Sequence, residues 1–276
     1  MACRFLRGMG KPGLILLSVA VLTLAGLPAH AAPQRPDSMA ALGDSITRAF
    51  NACGFYVDCP AVSWSTGFSG LVDSHYRRIL RRNPDIEGRA FNDARSGATV
   101  ADLGRQAQLA VEQQVDYVTI LIGANDACAP TEEGMTPVSE FEDQLRTGMS
   151  TLRTGLPEAA LLVVSVPDIK RLWKIGKDNA DARAAWAAGR ICQSMLADPL
   201  SEAEEVEARR DRVRQRVIEY NDALQRACNG TPNCRFDGNV VFEYDFELQN
   251  VSAWDYFHPN LSGQRIIAEL TYRDRF

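Results

Sequence analysis

Three side chains able to cooperate in acyl transfer stand near the two ends of this sequence. Ser45 closes the tripeptide Gly43-Asp44-Ser45, and Asp255-Tyr256-Phe257-His258 lies far downstream. A serine hydroxyl is a weak nucleophile and needs a base to take its proton. Imidazole serves as that base, and a carboxylate on its other ring nitrogen fixes the tautomer and stabilises the imidazolium. The chain has only three histidines, His30, His75 and His258. His30 belongs to a leader-like segment, and His75 falls on the apolar side of a predicted helix, as a packed core histidine would. Only His258 has a carboxylate, Asp255, three residues before it in what reads as one loop. The expected roles are nucleophile for Ser45, base for His258 and orienting acid for Asp255. Pro259 biases His258 toward extended backbone, which suits presentation from a fixed loop.

Such a reaction also needs donors for the developing oxyanion. Asn125, in Gly123-Ala124-Asn125-Asp126, directly follows a β-branched run and could offer its side-chain amide. Gly97 has no side chain to block close approach, so its N–H is a second candidate donor. The N–H of Ser45 is the third. Taken singly, each of these segments also reads as an ordinary turn. Asp44 and Asp126 are expected to serve turns and loop hydrogen bonds rather than catalysis. No G-x-S-x-G occurs, which argues against an α/β-hydrolase nucleophile elbow.

The elements that must position these residues alternate between strand and helix patterns. Short apolar or β-branched runs predict strands over 38–43, 89–92, 116–122, 160–166 and 239–242. Helical spacing predicts helices over 67–82, 99–114, 137–156, 180–196, 201–228 and 262–272, and Ser45 is expected to open a helical stretch. Thr99 with Asp102 three residues on resembles a capping box. This alternation predicts a parallel sheet with helices on both faces. Ligands of such sheets collect outside the carboxyl ends of the strands. The segments around Ser45, Gly97 and Asn125 fall at predicted strand ends, and His258 lies in the final loop.

Residues 1–32 read as a secretory signal peptide. Arg4, Arg7 and Lys11 precede an uncharged apolar stretch, and Ala29-His30-Ala31 is a small-x-small cleavage site. The expected mature chain, 33–276, is a single domain of a secreted, extracellular protein, with an added helical region at about 170–216. Losing the leader's three basic residues takes the formal charge from −5 to −8. An acidic chain without a basic run argues against nucleic acid as a partner. No later segment is long and apolar enough for membrane insertion, which leaves at most transient contact with a lipid surface.

Six cysteines remain beyond the leader, an even number that reads as three disulfides in an exported chain. Fifteen pairings are open to six cysteines. Local spacing favours Cys53–Cys59 and Cys228–Cys234, leaving Cys128–Cys192. A metal reading is weak, because no C-x-x-C occurs. Trp173 and Trp186 read as core packing, or else as an apolar wall for an acyl chain. Lys170, Arg171, Lys174 and Lys177 read as a solvated basic face, or else as a contact for anionic head groups.

The four blocks Gly43-Asp44-Ser45, Asn92 to Gly97, Gly123-Ala124-Asn125-Asp126 and Asp255 to His258 resemble, in order and spacing, those of the GDSL/SGNH hydrolase family. The resemblance spans essentially the whole chain beyond the leader. Ile46 departs from the commoner Leu or Tyr after the serine. The resemblance implies a three-layer α/β/α sandwich with a flavodoxin-like parallel sheet of about five strands, and no metal or organic cofactor. It implies an esterase or lipase with Ser45, His258 and Asp255 as the catalytic triad. The oxyanion hole it implies is Ser45 N–H, Gly97 N–H and the Asn125 side chain. Export and disulfides are similar to secreted actinomycete members. The expected substrate is a small-molecule or lipid acyl ester. A carbohydrate O-acetylesterase and a catalytically silent binding module are the alternatives. Ser63-Trp64-Ser65-Thr66-Gly67 is similar to a tryptophan segment of phospholipase-B-like members.

Overall fold

The computed structural model describes residues 1–3 and 35–273. The chain divides into two units, Met1–Ala32 and Pro33–Phe276. The expected signal peptide lies almost wholly outside the described residues, and everything below concerns the second unit.

Five short strands form one sheet: β1 (Met39–Gly43), β2 (Ala90–Asn92), β3 (Tyr117–Leu121), β4 (Ala160–Val163) and β5 (Cys234–Phe236). Their order is β2-β1-β3-β4-β5 and every pairing is parallel. This is the flavodoxin-like order, with its topological switch point between β1 and β3. β1 and β3 are buried along their whole length, as central strands covered on both faces must be. The fifth strand lies at Cys234–Phe236 rather than at the expected 239–242. There Asp237 accepts hydrogen bonds from the N–H groups of Asn239 and Val241, and the chain coils into a single helical turn instead.

The helices are α1 (His75–Leu80), α2 (Leu103–Gln113), α3 (Ala124–Ala127), α4 (Val138–Gly155), α5 (Ile169–Gly176), α6 (Ala180–Ala188), α7 (Gln193–Leu196), α8 (Glu204–Asn229), α9 (Val240–Glu243) and α10 (Leu261–Thr271). One face of the sheet carries α2, α4 and α8, packed in series. The other carries α1 and α10, joined through buried His75 between Tyr117 of β3 and Thr271 of α10. The helix expected over 67–82 is confined to α1. Ser74 caps α1 by accepting from Arg77 N–H, while its hydroxyl donates to the Gly67 carbonyl and holds the preceding residues as a loop.

The expected helix 180–196 divides at Cys192, whose left-handed backbone (φ 44°) separates α6 from α7. Disulfides join Cys53 to Cys59, Cys128 to Cys192 and Cys228 to Cys234, with Cα–Cα distances of 6.0, 4.2 and 5.3 Å. Among the described residues no helix is long and apolar enough to cross a membrane.

Candidate active site

Gly43 ends β1 with φ +145°, and a Cβ there would stand 2.1 Å from the Leu121 carbonyl oxygen. Only glycine lets β1 lie so close to the end of β3 while turning sharply into the next residues. Buried Gln106 of α2 holds that turn, accepting from Gly43 N–H at 2.7 Å and donating to its carbonyl at 2.9 Å. Ser45 follows at the rim. The segment after it is a series of turns rather than the expected helix. Arg48 N–H bonds to Asp44 and Phe50 N–H to Ser45, but Ala49 and Asn51 adopt left-handed conformations (φ 52° and 62°) that stop propagation.

His258 Nε2 lies 2.8 Å from Ser45 Oγ, and His258 Nδ1 lies 2.6 Å from Asp255 Oδ2. An ionised carboxylate can only accept, so Nδ1 carries the proton and Nε2 presents its lone pair to the serine hydroxyl. The loop carrying the pair is held at several points. Asp255 Oδ1 accepts from the N–H groups of Phe257 (2.9 Å) and His258 (3.0 Å). Ser252 N–H donates to the His258 carbonyl at 2.8 Å, and Trp186 Nε1 donates to the Tyr256 carbonyl at 3.1 Å. Burial alone would raise the Asp255 pKa. The His258 hydrogen bond and charge, with the two loop N–H donors, outweigh it and hold the carboxyl below its usual value.

Ser45, Gly97, Asn125 and His258 line one cleft of about 280 Å³, whose apolar side is made by Phe50, Ile191 and Phe257. Gly97 takes φ +81°, and no atom lies within 4 Å of where its side chain would be, so the backbone faces open space. Asn125, at the start of α3, donates one amide hydrogen to the Ala98 carbonyl at 2.8 Å. That bond fixes the amide and leaves its second hydrogen free to point at a ligand. Among the described residues neither Ser45 N–H nor Gly97 N–H has an acceptor within the chain. The geometry therefore brings four of the five sequence-identified residues to one cleft at the β1/β3 switch point, with the fifth, Asp255, buried behind His258.

The neighbouring acids hold loops. Asp126 accepts from Val100 N–H (3.0 Å) and Thr136 Oγ1 (2.9 Å), and burial pushes its pKa up to about 6. Asp44 accepts from Ile46 N–H at 2.8 Å. Its burial outweighs that bond and the attraction of His258, and pushes its pKa up to about 7. Trp64 is buried and donates through Nε1 to Thr47 Oγ1, so it is a core residue behind the loop that carries Ser45.

Trp173 and Trp186 are also buried and line no part of the cleft. Trp173 has the Arg210 guanidinium 4.3 Å from its ring centre. Of the local basic group, Lys170 pairs with Asp211 and Arg171 with Asp245, while Lys177 lies over the Trp173 ring.

Asn51 joins the candidate site, and sequence reasoning missed it. Its Nδ2 donates to Asp255 Oδ2 at 2.5 Å, across 204 positions of sequence. An asparagine, a residue that tolerates left-handed backbone, in a turn-rich segment is the trace it leaves in the sequence.

A family model described as GDSL-like Lipase/Acylhydrolase matches residues 39–271. The chain is 29% identical to a Rattus norvegicus protein, "Phospholipase B1, membrane-associated", over 163 residues, covering 49% of this chain and 11% of that protein. It is 30% identical to an Arabidopsis thaliana GDSL esterase/lipase over 97 residues, covering 33% of this chain and 40% of the relative. Both matches thus span less than half of the relative's length. Among solved structures, a lipase from a goat rumen metagenome has a TM-score of 0.50 at 14% identity, covering 84% of this chain and 94% of that one. This is a likeness of fold. An extracellular lipase from Streptomyces rimosus has a TM-score of 0.47 at 17% identity, covering 85% of this chain and 99% of that one.

Proposed function

Since the chain belongs to the GDSL-like lipase/acylhydrolase family and is an ester hydrolase of that kind, we propose that it is a secreted serine enzyme cleaving acyl esters of lipids or of short-to-medium acyl chains. The observation that carries this reading is the hydrogen-bonded line from Asp255 through His258 to Ser45, opening into a cleft with one apolar side.

In the proposed mechanism His258 Nε2 takes the Ser45 proton as Oγ bonds to the ester carbonyl carbon. Negative charge gathers on the former carbonyl oxygen, where Ser45 N–H, Gly97 N–H and the second Asn125 amide hydrogen serve as its donors. Removing one such donor typically costs ~10²–10³ in rate. Collapse breaks the bond to the alcohol oxygen, which leaves with the proton from His258, and an acyl group remains on Ser45. Water, deprotonated by the same imidazole, then releases the acid and returns the proton to Ser45. Asp255 stays ionised throughout and stabilises the imidazolium.

Export rests on the leader pattern of 1–32 and on three disulfides, which persist in oxidising compartments. The apolar cleft side favours acyl chains over a sugar ring as the group flanking the ester.

The test is hydrolysis of p-nitrophenyl esters from acetate to palmitate by the oxidised protein, with Ser45→Ala alongside. Activity that disappears in the variant supports the serine mechanism. Turnover of acetate alone moves the substrate to O-acetylated carbohydrate. A folded protein inactive on every ester is a silent binding module, and the proposal is then wrong.

A further inference from the structure

A second cavity, of about 60 Å³, lies behind the loop that carries His258. Its walls are largely apolar, with Ile46, Ile169, Leu172, Ile175, Phe246 and Val251 among the lining. Asp168 and Arg171 reach it too, but Asp168 pairs with Arg214 at 2.8 Å and Arg171 with Asp245 at 3.3 Å, so their charges are spent elsewhere. At ~10–15 Å³ per water-sized group, the cavity of about 60 Å³ has room for about four to six such groups. A void lined this way holds water poorly and takes hydrocarbon well.

This cavity is placed against the reactive atoms. Ile46 follows the nucleophile, Ala124 precedes Asn125 and Pro259 follows His258, and all three contribute to its wall. Phe257 borders both spaces, the cleft that holds Ser45 and the cavity behind. Its ring packs edge-on to the His258 imidazole, with centroids 5.0 Å apart. Phe257 is only half-buried, and its backbone is fixed by donation to Asp255 Oδ1, so the side chain can change rotamer without moving the catalytic loop.

We propose that the cavity behind Phe257 receives the distal methylenes of the acyl chain whose carbonyl sits at Ser45, and that the Phe257 ring is the movable partition between the two spaces. The inference rests on the esterase reading above and deepens it by naming the acyl tail as the group recognised. The added segment at 169–175, which forms the far wall, then sets how long a chain is accommodated. Burial is worth ~0.8 kcal/mol per methylene, about fourfold in kcat/KM for each one that enters.

The experiment compares kcat/KM for p-nitrophenyl acetate and octanoate in the full chain and in two variants acting from opposite sides. Leu172→Trp fills the cavity from its far wall, and the octanoate-to-acetate ratio is expected to fall at least tenfold. Phe257→Ala removes the partition, and the same ratio is expected to rise severalfold. The ratio is internal to each variant, so a partly folded preparation does not mimic the effect. If either variant fails to fold by circular dichroism, Ile175→Trp replaces the first and Phe257→Leu the second. Ratios that stay within twofold of the parent overturn the assignment while leaving the esterase intact. A parent inactive on both esters overturns the esterase reading instead, and this inference with it.

Discussion

Asn51 Nδ2 stands 2.5 Å from Oδ2 of Asp255, the same oxygen that faces His258 Nδ1 at 2.6 Å. One carboxylate oxygen therefore carries both the asparagine and the histidine. Asn51 is itself held by donation from its N–H to Val57 and by acceptance from Ser252 Oγ at its carbonyl. In the proposed mechanism it is a positioning residue, acting on the reacting atoms through Asp255 and His258.

Replacing Asn51 with glycine keeps the left-handed backbone and removes only the donor. Hydrogen bonds to charged groups are worth ~1.5–3 kcal/mol, so kcat should fall on the order of tenfold or more with little change in KM. Asp255 loses a bond that favours its ionised form, and its attraction for the imidazolium is redistributed. A pH–rate profile of Asn51→Gly should therefore move its acid limb. An unchanged limb with an unchanged kcat means that the contact is structural only.

Asn125→Ala tests the oxyanion donor. The expected loss is ~10²–10³ in kcat, with substrate affinity largely retained. Because Asn125 also donates to Ala98, thermal stability is measured in parallel. A variant of parental activity rules out the donor role.

The Cys128–Cys192 bond lies in the wall of the cleft. Ser194 reinforces it, donating from Oγ to the Ala127 carbonyl (2.7 Å) and from N–H to that of Ala129 (3.0 Å). These links tie the segment after Asn125 to α7. For a loop of 64 residues the chain-entropy model gives about 4 kcal/mol. Cys128→Ser/Cys192→Ser should lower Tm by many degrees and reduce kcat. Full retention of both disproves the idea that the bond stiffens the oxyanion loop.

Two buried groups give opposed pH slopes to stability. His75 donates from Nε2 to Thr271 Oγ1, whose own hydrogen goes to Ile267, and accepts at Nδ1 from the Tyr117 hydroxyl. Burial, aided by nearby arginines, pulls its pKa down to about 3 from 6.5. Below pH 6.5 the unfolded chain binds a proton that the folded chain refuses, so stability is lost as pH falls toward 3. Asp44 behaves in the reverse sense. Its pKa of about 7 against 3.8 means that the folded chain keeps a proton the unfolded one releases, so stability is lost as pH rises from about 4 to 7. Asp44→Asn should therefore gain in Tm relative to the parent across pH 4–7. His75→Gln should show a shallower loss below pH 6. Parallel Tm curves for parent and variants would contradict both assignments.

Much of this site is legible in the sequence, and for local reasons. Ser45, Gly97 and Asn125 each follow an apolar strand within a few residues, and the Asp255–His258 spacing is a single turn of loop. The alternating pattern indicated a parallel sheet, and the sheet puts all of them at one edge. The misreadings were also local. The apolar stretch 239–242 looked like a strand, yet the Asp237 carboxylate drew its N–H groups into a turn while the less hydrophobic 234–236 took the edge position beside β4. The helical spacing of 67–74 lost to a hydroxyl of Ser74 that captures the Gly67 carbonyl. After Ser45, two left-handed residues ended what apolar content suggested would be a helix.

By itself, the order of residues determined which chemical groups exist, which side of the sheet edge they reach, and the alternation that builds the sheet, because these depend on periods of two and 3.6 residues and on near neighbours. The tertiary structure alone decided which distant groups meet. It brought Asn51 to Asp255 and Trp186 to the Tyr256 carbonyl. It brought Gln264 to the backbone of Trp64 and Ile46, and it set Phe257 between two cavities. Contacts across about 70 to 220 positions leave no periodic mark in a single chain. They arise when packing closes long loops, whose entropic cost is recovered only by burial of the assembled core.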